Sequence, residues 1–189
     1  MRVIAGTHRG RHLRGPQGAV LRPTSDRVRE ALFSILGNRL LNSRFLDLYA
    51  GTGAVGIEAL SRGVTHVTCV ESSAKALKLL RQNVLDCRMG HQMTVQAQTV
   101  KQFLGRPYQW SGPYDIVFAD PPYAIAQELE SLFDDAATDR LFAADSWLVV
   151  EHAEKTPLPT HLGRSAFLRR YHYGDTALSL FSFSGAAQP

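Results

Sequence analysis

The sequence predicts an α/β fold: one mostly parallel sheet of seven strands with helices on both faces, closed by an antiparallel hairpin near the C-terminus. From residue 45 onwards, short apolar runs alternate with amphipathic stretches, which is the order of a sheet built from strand–helix–strand units. The apolar runs are continuous, as expected for parallel strands buried on both faces. A chain of 189 residues is long enough for one domain of this kind.

The elements can be assigned in order along the chain. Residues 1–5 and 11–14 predict a small β-arm. The sequence Arg22-Pro23-Thr24-Ser25-Asp26 is a helix start signal, and apolar residues at helical spacing follow it as far as residue 40. We expect strands at residues 45–49, 66–71, 93–97, 115–119 and 147–151, and helices at 54–62, 73–86, 99–105 and 127–137. The closing hairpin comprises 167–173 and 177–183 around Gly174-Asp175, and a frayed tail comprises 185–189.

The N-terminal segment is strongly basic although the chain as a whole is not. The net charge is only +4, whereas residues 1–29 contain seven arginines and one acidic residue, Asp26. A basic arm on a nearly neutral body suits a phosphate backbone, and the guanidinium fork favours phosphate or base contacts. A merely solvated N-terminus is the alternative. We therefore divide the chain into a basic arm and helix at residues 1–43, a core unit at 44–184, and the tail.

Several classes of protein are disfavoured by composition. No apolar stretch approaches the roughly 20 residues of a membrane span, and the apolar part of the N-terminus is too short for a signal peptide. The two cysteines, Cys69 and Cys87, have neither a disulfide framework nor a metal-ligand spacing. We expect a cytoplasmic protein that has no membrane partner and no metal site.

A glycine-rich segment predicts a nucleoside cofactor. Residues 51–56 read Gly-Thr-Gly-Ala-Val-Gly and fit the fingerprint G-x-G-x-x-G, with Glu71 about twenty residues after the first glycine to accept hydrogen bonds from ribose hydroxyls. NAD binding is a real alternative, and so is a tight strand–helix turn without any ligand. Asp47, just before the loop, favours S-adenosylmethionine, because its carboxylate can fix the turn or reach a positively charged methionine group.

A second segment, Asp120-Pro121-Pro122-Tyr123, predicts chemistry on a nucleobase amine. It follows the apolar run at residues 116–119, so Asp120 should lie at the carboxyl edge of the sheet, where ligands bind. The prolines hold the neighbouring carbonyls rigidly, and Tyr123 can stack on a base. Hydrogen bonds from an exocyclic amine to Asp120 and to the Pro121 carbonyl would localise the nitrogen lone pair for methyl transfer. The target base must first leave its stack.

Together with other short stretches, these two segments form a sequence pattern that covers nearly the whole chain. The stretches of this pattern are Arg2-Val3-Ile4-Ala5-Gly6, Arg9-Gly10-Arg11, Arg22-Pro23-Thr24, Val28-Arg29-Glu30-Ala31-Leu32-Phe33, Phe45-Leu46-Asp47-Leu48-Tyr49-Ala50-Gly51-Thr52-Gly53, Gly56-Ile57-Glu58-Ala59-Leu60-Ser61-Arg62-Gly63, Asp120-Pro121-Pro122-Tyr123 and Tyr173-Gly174-Asp175. With these stretches the chain resembles the Rossmann-like class I methyltransferases that modify exocyclic nitrogens. It resembles most closely the bacterial 16S ribosomal RNA guanine-N2 methyltransferase family, which modifies guanine 966.

The resemblance implies a cofactor, S-adenosylmethionine, and a partner, the 16S ribosomal RNA of the small subunit or its assembly intermediate. The implied cofactor-binding residues are Asp47, Tyr49, Ala50, Gly51, Thr52, Gly53, Glu71 and Ser72, with Gln98 or Thr99 near the adenine. The implied catalytic, guanine-holding residues are Asp120, Pro121, Pro122 and Tyr123. Residues 1–43 would bind RNA through Arg9, Arg11, Arg22, Thr24, Arg27 and Arg29.

The chain departs from the family pattern after its third strand. Many relatives have Asp or Asn there, whereas this chain reads Gln96-Ala97-Gln98-Thr99, so the adenine contact is open between Gln98 and Thr99. The main alternative function is an adenine-N6 methyltransferase acting on DNA or RNA. Others are a non-catalytic RNA-binding assembly factor and an NAD-dependent oxidoreductase, which would have no use for Asp120-Pro121-Pro122-Tyr123. We expect a monomer.

Overall fold

A computed structural model describes residues 1–15, 25–122 and 129–184. Strands and helices alternate within these residues as the sequence predicts. The strands are β1 (Arg44–Leu48), β2 (His66–Glu71), β3 (Met93–Ala97), β4 (Tyr114–Ala119), β5 (Phe142–Ala153), β6 (His161–Leu162), β7 (Ser165–Tyr173) and β8 (Thr176–Phe183). The helices are α1 (Asp26–Leu36), α2 (Ala54–Ser61), α3 (Ala74–Cys87), α4 (Val100–Leu104) and α5 (Leu129–Phe133), with 3₁₀ turns at Gly37–Leu40, Pro107–Gln109 and Ala136–Leu141.

The strands form one sheet in the order β3-β2-β1-β4-β5-β8-β7-β6. Strands β1 to β5 pair in parallel, whereas β8 pairs antiparallel with both β5 and β7. The predicted α/β class and the antiparallel C-terminal hairpin are thereby confirmed. The described sheet has eight strands rather than seven, because the two residues of β6 pair with the start of β7. A two-residue strand is too short to give a periodic sequence signal.

The sheet separates two hydrophobic cores. The arm, α1, α2 and α3 cover one face, which β1, β2 and β4 line with Phe45, Cys69 and Phe118. Helices α4 and α5 cover the other face, which the same strands line with Leu46, Val70 and Val117. Both faces of the parallel strands are therefore buried, as their continuous apolar runs predict.

The N-terminal arm, residues 1–15, is a short hairpin packed against α2 and α3. Arg2 pairs with His12 in an antiparallel bridge, and the side chains of Val3 and Leu13 are buried in the same core as α1. The arm turns at Gly6, where φ is +83° and an added Cβ would lie only 1.8 Å from the Ser61 carbonyl oxygen. The described residues of the segments 1–43 and 44–184 thus share a core, and the predicted tail at 185–189 lies outside the described residues.

Three element boundaries differ clearly from the prediction. The first helix, expected as far as residue 40, ends at Leu36, because Gly37 has a φ of +52° and a 3₁₀ turn follows. The helix expected at residues 127–137 is described from residue 129, and α5 ends at Phe133, because Asp135 accepts a hydrogen bond from the Ala137 amide (2.8 Å) and begins a separate 3₁₀ turn. Strand β5 is longer than the predicted 147–151, because Phe142 pairs with Tyr114 of β4 at its start and β8 pairs with it as far as Ala153 at its end. No helix in the described ranges is long and apolar enough to span a lipid bilayer.

Candidate active site

The predicted site residues meet at the carboxyl ends of β1, β2 and β4. The chain runs outward from β1 through β2 to β3 and then returns to place β4 on the opposite side of β1. Open α/β sheets bind their ligands in the crevice that such a reversal leaves at the carboxyl ends of the strands. Asp47 lies near the end of β1 and Asp120 directly follows β4, so these two carboxylates flank the crevice.

The glycine loop, residues 49–53, has a fixed backbone conformation. Tyr49, Gly51 and Gly53 have positive φ angles of 65°, 55° and 77°. The loop is held to the sheet by the Ala50 amide, which donates to the Val70 carbonyl (3.0 Å), and closed on itself by the Gly53 amide, which donates to the Ala50 carbonyl (2.8 Å). A fixed turn at the end of a central strand can present its backbone to a ligand without reorganisation.

Gly56 lets helix α2 approach the sheet closely. A Cβ at this position would lie 2.9 Å from Val67 Cγ1 and 3.0 Å from Cys69 Sγ, both on β2. These are closer than normal carbon and sulfur contacts, so a side chain at residue 56 would push α2 outward. The third glycine of the G-x-G-x-x-G fingerprint therefore has its usual packing role, which is close contact between helix and strand.

Glu71, at the end of β2, holds the glycine loop. One carboxylate oxygen accepts a hydrogen bond from the Gly51 amide (2.8 Å), and the other accepts from the amides of Ser72 (2.8 Å) and Ser73 (2.7 Å). A carboxylate has about four acceptor positions, so room for roughly one further donor remains. Ser72 contributes its amide to this cluster, and its side chain is exposed.

Asp47 is a buried acid with a strongly raised pKa. Its side chain is only 1% exposed, and one oxygen accepts a hydrogen bond from the Gly56 amide (3.1 Å). Burial, together with the nearby carboxylates of Asp120 and Glu71, raises the pKa of Asp47 to about 8, although the Gly56 hydrogen bond opposes this shift. Three carboxyl groups thus lie close together, and their mutual repulsion favours either a proton on Asp47 or a cationic ligand.

The raised pKa of Asp47 predicts a pH-dependent stability. In the unfolded chain the carboxyl group titrates near 3.8, and in the folded protein near 8, so the folded state holds the proton more tightly. The contribution of this carboxyl group to the free energy of unfolding is fully present below about pH 4. It is lost as pH rises towards 8, by at most about 1.4 kcal/mol per pH unit. We expect Asp47→Asn, which can keep the Gly56 hydrogen bond, to become progressively more stable than wild type over that window. Urea unfolding without cofactor at pH 5 and pH 8 measures the difference, and an equal difference at both values would contradict the assignment.

Asp120 lies beside the glycine loop. Its backbone amide is 3.4 Å from the Leu48 carbonyl oxygen, the last carbonyl of β1. Its side chain is half-buried, Pro121 is buried, and Pro122 is exposed. The structure therefore places the start of Asp120-Pro121-Pro122-Tyr123 at the predicted edge. Tyr123 lies outside the described residues, so its stacking role stays a prediction.

The two candidates for the adenine contact have different surroundings. The Thr99 hydroxyl begins α4 in a capping box, in which it accepts from the Gln102 amide (3.2 Å) while the Gln102 side chain accepts from the Thr99 amide (3.1 Å). The Gln98 side chain instead donates to the Gln109 side chain (2.7 Å) and accepts from Arg106 (3.3 Å). Thr99 thus has a local structural task, whereas Gln98 belongs to a polar side-chain cluster.

The predicted RNA-binding residues divide into exposed and buried ones. Arg9, Arg11 and Arg27 are exposed, as phosphate binding requires. Arg11 also donates to the Asp86 backbone carbonyl (3.3 Å), which ties it to α3. Arg22 and Thr24 lie outside the described residues.

Arg29 does not fit the predicted RNA contact, because its side chain is 0% exposed. Its guanidinium donates to the Arg2 carbonyl (2.7 Å) and to the Asp26 carboxylate (2.9 Å), and its Nε lies 4.0 Å from a Glu58 carboxylate oxygen. A buried arginine without charged partners would be very costly. Arg29 is therefore a structural residue that joins α1 to the arm and α2.

Two buried polar residues at the base of the arm were absent from the predicted site. Glu58 is 1% exposed and Asn83 is 0% exposed, and both contact the arm backbone. Their sequence signal is a polar residue on the apolar face of a predicted helix. In α3, Asn83 lies among the buried residues Leu80, Val84 and Cys87.

A family model described as "Conserved hypothetical protein 95" matches residues 1–182 of the chain. Among curated proteins, the chain is 33% identical over 183 residues to "Ribosomal RNA small subunit methyltransferase D" of Escherichia coli (strain K12), covering 96% of this chain and 89% of the relative. It is 41% identical over 164 residues to the protein of the same name from Haemophilus influenzae, covering 85% of this chain and 82% of the relative.

A solved structure also matches the whole fold. The hypothetical protein TTHA0928 of Thermus thermophilus superimposes with a TM-score of 0.79 at 34% identity. The match covers 98% of this chain and 99% of the other. The similarity therefore includes the arm, α1 and the closing hairpin as well as the parallel strands of the sheet and their helices.

Proposed function

The chain belongs to the conserved hypothetical protein 95 family, and from that membership we propose that it methylates the exocyclic N2 amine of a guanine in 16S ribosomal RNA, at position 966 by family resemblance. It is an S-adenosylmethionine-dependent ribosomal RNA methyltransferase, like the relatives named for methylation of small-subunit RNA. The observation that supports methylation of an exocyclic amine is the position of Asp120 next to the end of β1 and close enough to Asp47 to raise its pKa; the choice of guanine N2 comes from the family resemblance.

The residues of the crevice suit S-adenosylmethionine. The cofactor is cationic at its sulfonium and ammonium groups, and its binding beside Asp47, Glu71 and Asp120 would stabilise the ionised form of Asp47, which burial and the two neighbouring carboxylates disfavour in the free protein. Glu71 has acceptor capacity for a ribose hydroxyl beyond the three amides it already binds. Gln98 and Thr99 are both kept as candidates for the adenine contact, because each side chain already has protein partners: Thr99 in the capping box of α4, and Gln98 with Gln109 and Arg106. When bound, the cofactor supplies an electrophilic methyl group.

The chain's own groups would prepare the target amine. An exocyclic amine of guanine is a weak nucleophile, because its lone pair is delocalised into the ring. Asp120 and the Pro121 carbonyl would accept the two N–H bonds of this amine, which localises the lone pair and orients it. Because the Asp120 carboxylate would already accept one N–H bond of the amine, it would also be positioned to take up the proton that the nitrogen loses. Pro121 has no amide hydrogen and a fixed φ, which keeps this short segment rigid.

The exposed arginines of the arm and of α1 would bind the RNA. Arg9, Arg11 and Arg27 are the described members of this set, and the arm that carries the first two is fixed to the body. Attachment to the body restricts the conformations of the arm before RNA binds, which lowers the entropic cost of binding. We propose a monomer acting on a small-subunit particle in the cytoplasm, where small-subunit RNA is assembled.

The identity of the modified nucleoside tests this function. We expect labelled S-adenosylmethionine, incubated with small ribosomal subunits from cells that lack the enzyme, to yield N2-methylguanine after the RNA is digested to nucleosides. Subunits from cells that retain the enzyme should accept almost no label, because their target is already modified. Recovery of N6-methyladenine would favour the alternative adenine chemistry, and recovery of no labelled nucleoside would favour a non-catalytic assembly factor.

A further inference from the structure

Asn83 connects the N-terminal arm to the glycine loop. Its amide nitrogen donates to the Thr52 carbonyl (3.0 Å) and to the Arg14 carbonyl (3.1 Å), and its amide oxygen accepts from the Arg14 amide (2.8 Å). Thr52 lies in the glycine loop, and Arg14 is near the end of the arm. One side chain of α3 therefore binds the backbones of both segments, which are far apart in sequence.

Only an amide side chain can make this set of contacts. The three partners comprise one donor and two acceptors, which match the carbonyl oxygen and the NH₂ group of Asn. The side chain is 0% exposed, so water has little access to replace a lost contact. An unpaired buried polar group is costly, and the positions of Thr52 and Arg14 are therefore not independent.

The two segments that Asn83 joins have different proposed ligands. The glycine loop would bind the cofactor, and the arm would bind RNA through Arg9 and Arg11, which are exposed. A cofactor bound to the glycine loop would further restrict the motion of the Thr52 carbonyl and, through Asn83, the motion of the Arg14 backbone. RNA would then bind an arm with less residual motion, and the motion that one ligand has already removed lowers the entropic penalty for the other.

We propose that Asn83 is a positioning residue that makes cofactor binding and RNA binding cooperative. The inference rests on the proposed function, since it requires both ligands. Coupling between two sites is reciprocal, so RNA must increase the affinity for cofactor as much as cofactor increases the affinity for RNA. Coupling between protein sites is commonly about 5- to 150-fold, and we expect a value in the lower part of that range.

Equilibrium dialysis with labelled S-adenosylhomocysteine measures the coupling. The Kd of the full-length protein is determined alone and with saturating small ribosomal subunits that lack the modification. We expect the wild-type Kd to fall about fivefold or more when subunits are added. An unchanged Kd in a protein that binds both ligands would overturn this inference and leave the proposed function intact. Failure of the wild type to bind subunits would overturn both.

Two variants separate coupling from simple affinity. Asn83→Ala should bring the ratio of the two Kd values close to one, and a wild-type ratio would overturn the inference. Arg9→Ala should weaken subunit binding but keep the wild-type ratio once subunits are saturating.

Asp86→Asn is the matched control on α3, because it removes the exposed ion pair with the Arg14 side chain (2.9 Å) and retains Asn83. Its ratio should equal that of wild type, and a ratio near one would instead assign the coupling to that ion pair.

Hydrogen exchange on the wild type covers the case in which Asn83→Ala does not fold. S-adenosylhomocysteine should slow exchange of the Arg14 amide, which donates to Asn83. The Arg44 amide is the internal reference, because Arg44 begins β1, at the end of the strand away from the glycine loop, and its amide donates to the Asp115 carboxylate (2.7 Å). Its exchange should not change. If S-adenosylhomocysteine changes the exchange rates of the Arg14 and Arg44 amides equally, the inference is overturned, and this test requires no variant.

Discussion

Asp120→Ala should lower kcat by at least about 10² to 10³, while the Kd for S-adenosylhomocysteine changes only a few-fold. Removal of one preorganised electrostatic group from an active site has an effect of this size. We expect a large change in kcat and a small change in Kd because of the position of Asp120. It lies next to the glycine loop, but the loop is fixed by Glu71 and by its own backbone contacts. The cofactor cradle should therefore persist without the Asp120 carboxylate.

The measurement combines single-turnover methylation of unmodified small subunits with a separate cofactor-binding assay. Asp134→Ala provides a matched control, because Asp134 is an exposed aspartate just after α5 and should retain the wild-type rate. Loss of cofactor binding in parallel with the rate would assign Asp120 to the cofactor site. A near-normal rate would remove it from the catalytic group altogether.

Much of the architecture could be predicted because the central strands are buried on both faces. A continuous apolar run followed by Gly-Thr-Gly or by Asp-Pro-Pro defines both the strand and the edge at which it ends. The structure accordingly places Asp47, Glu71 and Asp120 around one crevice. The predicted boundaries were less accurate where local hydrogen bonds decide them, as at Asp135, whose side chain begins a new 3₁₀ turn.

The role of Arg29 could not be predicted, because burial of an arginine depends on partners that are distant in sequence. The local pattern shows a basic residue in a basic segment and suggests an exposed side chain. In the structure, the Arg2 carbonyl and Glu58 surround the guanidinium. Asn83 was missed for the same reason, since its partners, Thr52 and Arg14, come from segments more than 30 residues away. The roles of such residues can be recognised only when the position of the arm against α2 and α3 is known.

Glu58 should be the residue whose loss most weakens the attachment of the arm. Its carboxylate accepts from the amides of Ile4 (2.7 Å) and Ala5 (2.9 Å) and from Arg62 Nε (2.8 Å). It is also the buried acid nearest to the buried Arg29, at 4.0 Å. Removing one partner of a buried ion pair typically costs about 3–5 kcal/mol. Arg29 would keep Asp26, but Arg62 and the amides of Ile4 and Ala5 would lose their acceptor. We expect Glu58→Ala to lower the free energy of unfolding by about that amount.

Urea unfolding tests the stability, and hydrogen exchange at Ile4 and Ala5 tests the attachment. Exchange at both amides should accelerate in Glu58→Ala by more than the loss of global stability explains, because their acceptor is gone. Glu30→Ala is the control, since Glu30 is an exposed acid on α1 and its loss should change stability by no more than about 0.5 kcal/mol. If Glu58→Ala behaves like this control, the arm is held by the apolar contacts of Val3 and Leu13, and the buried carboxylate is not its main anchor.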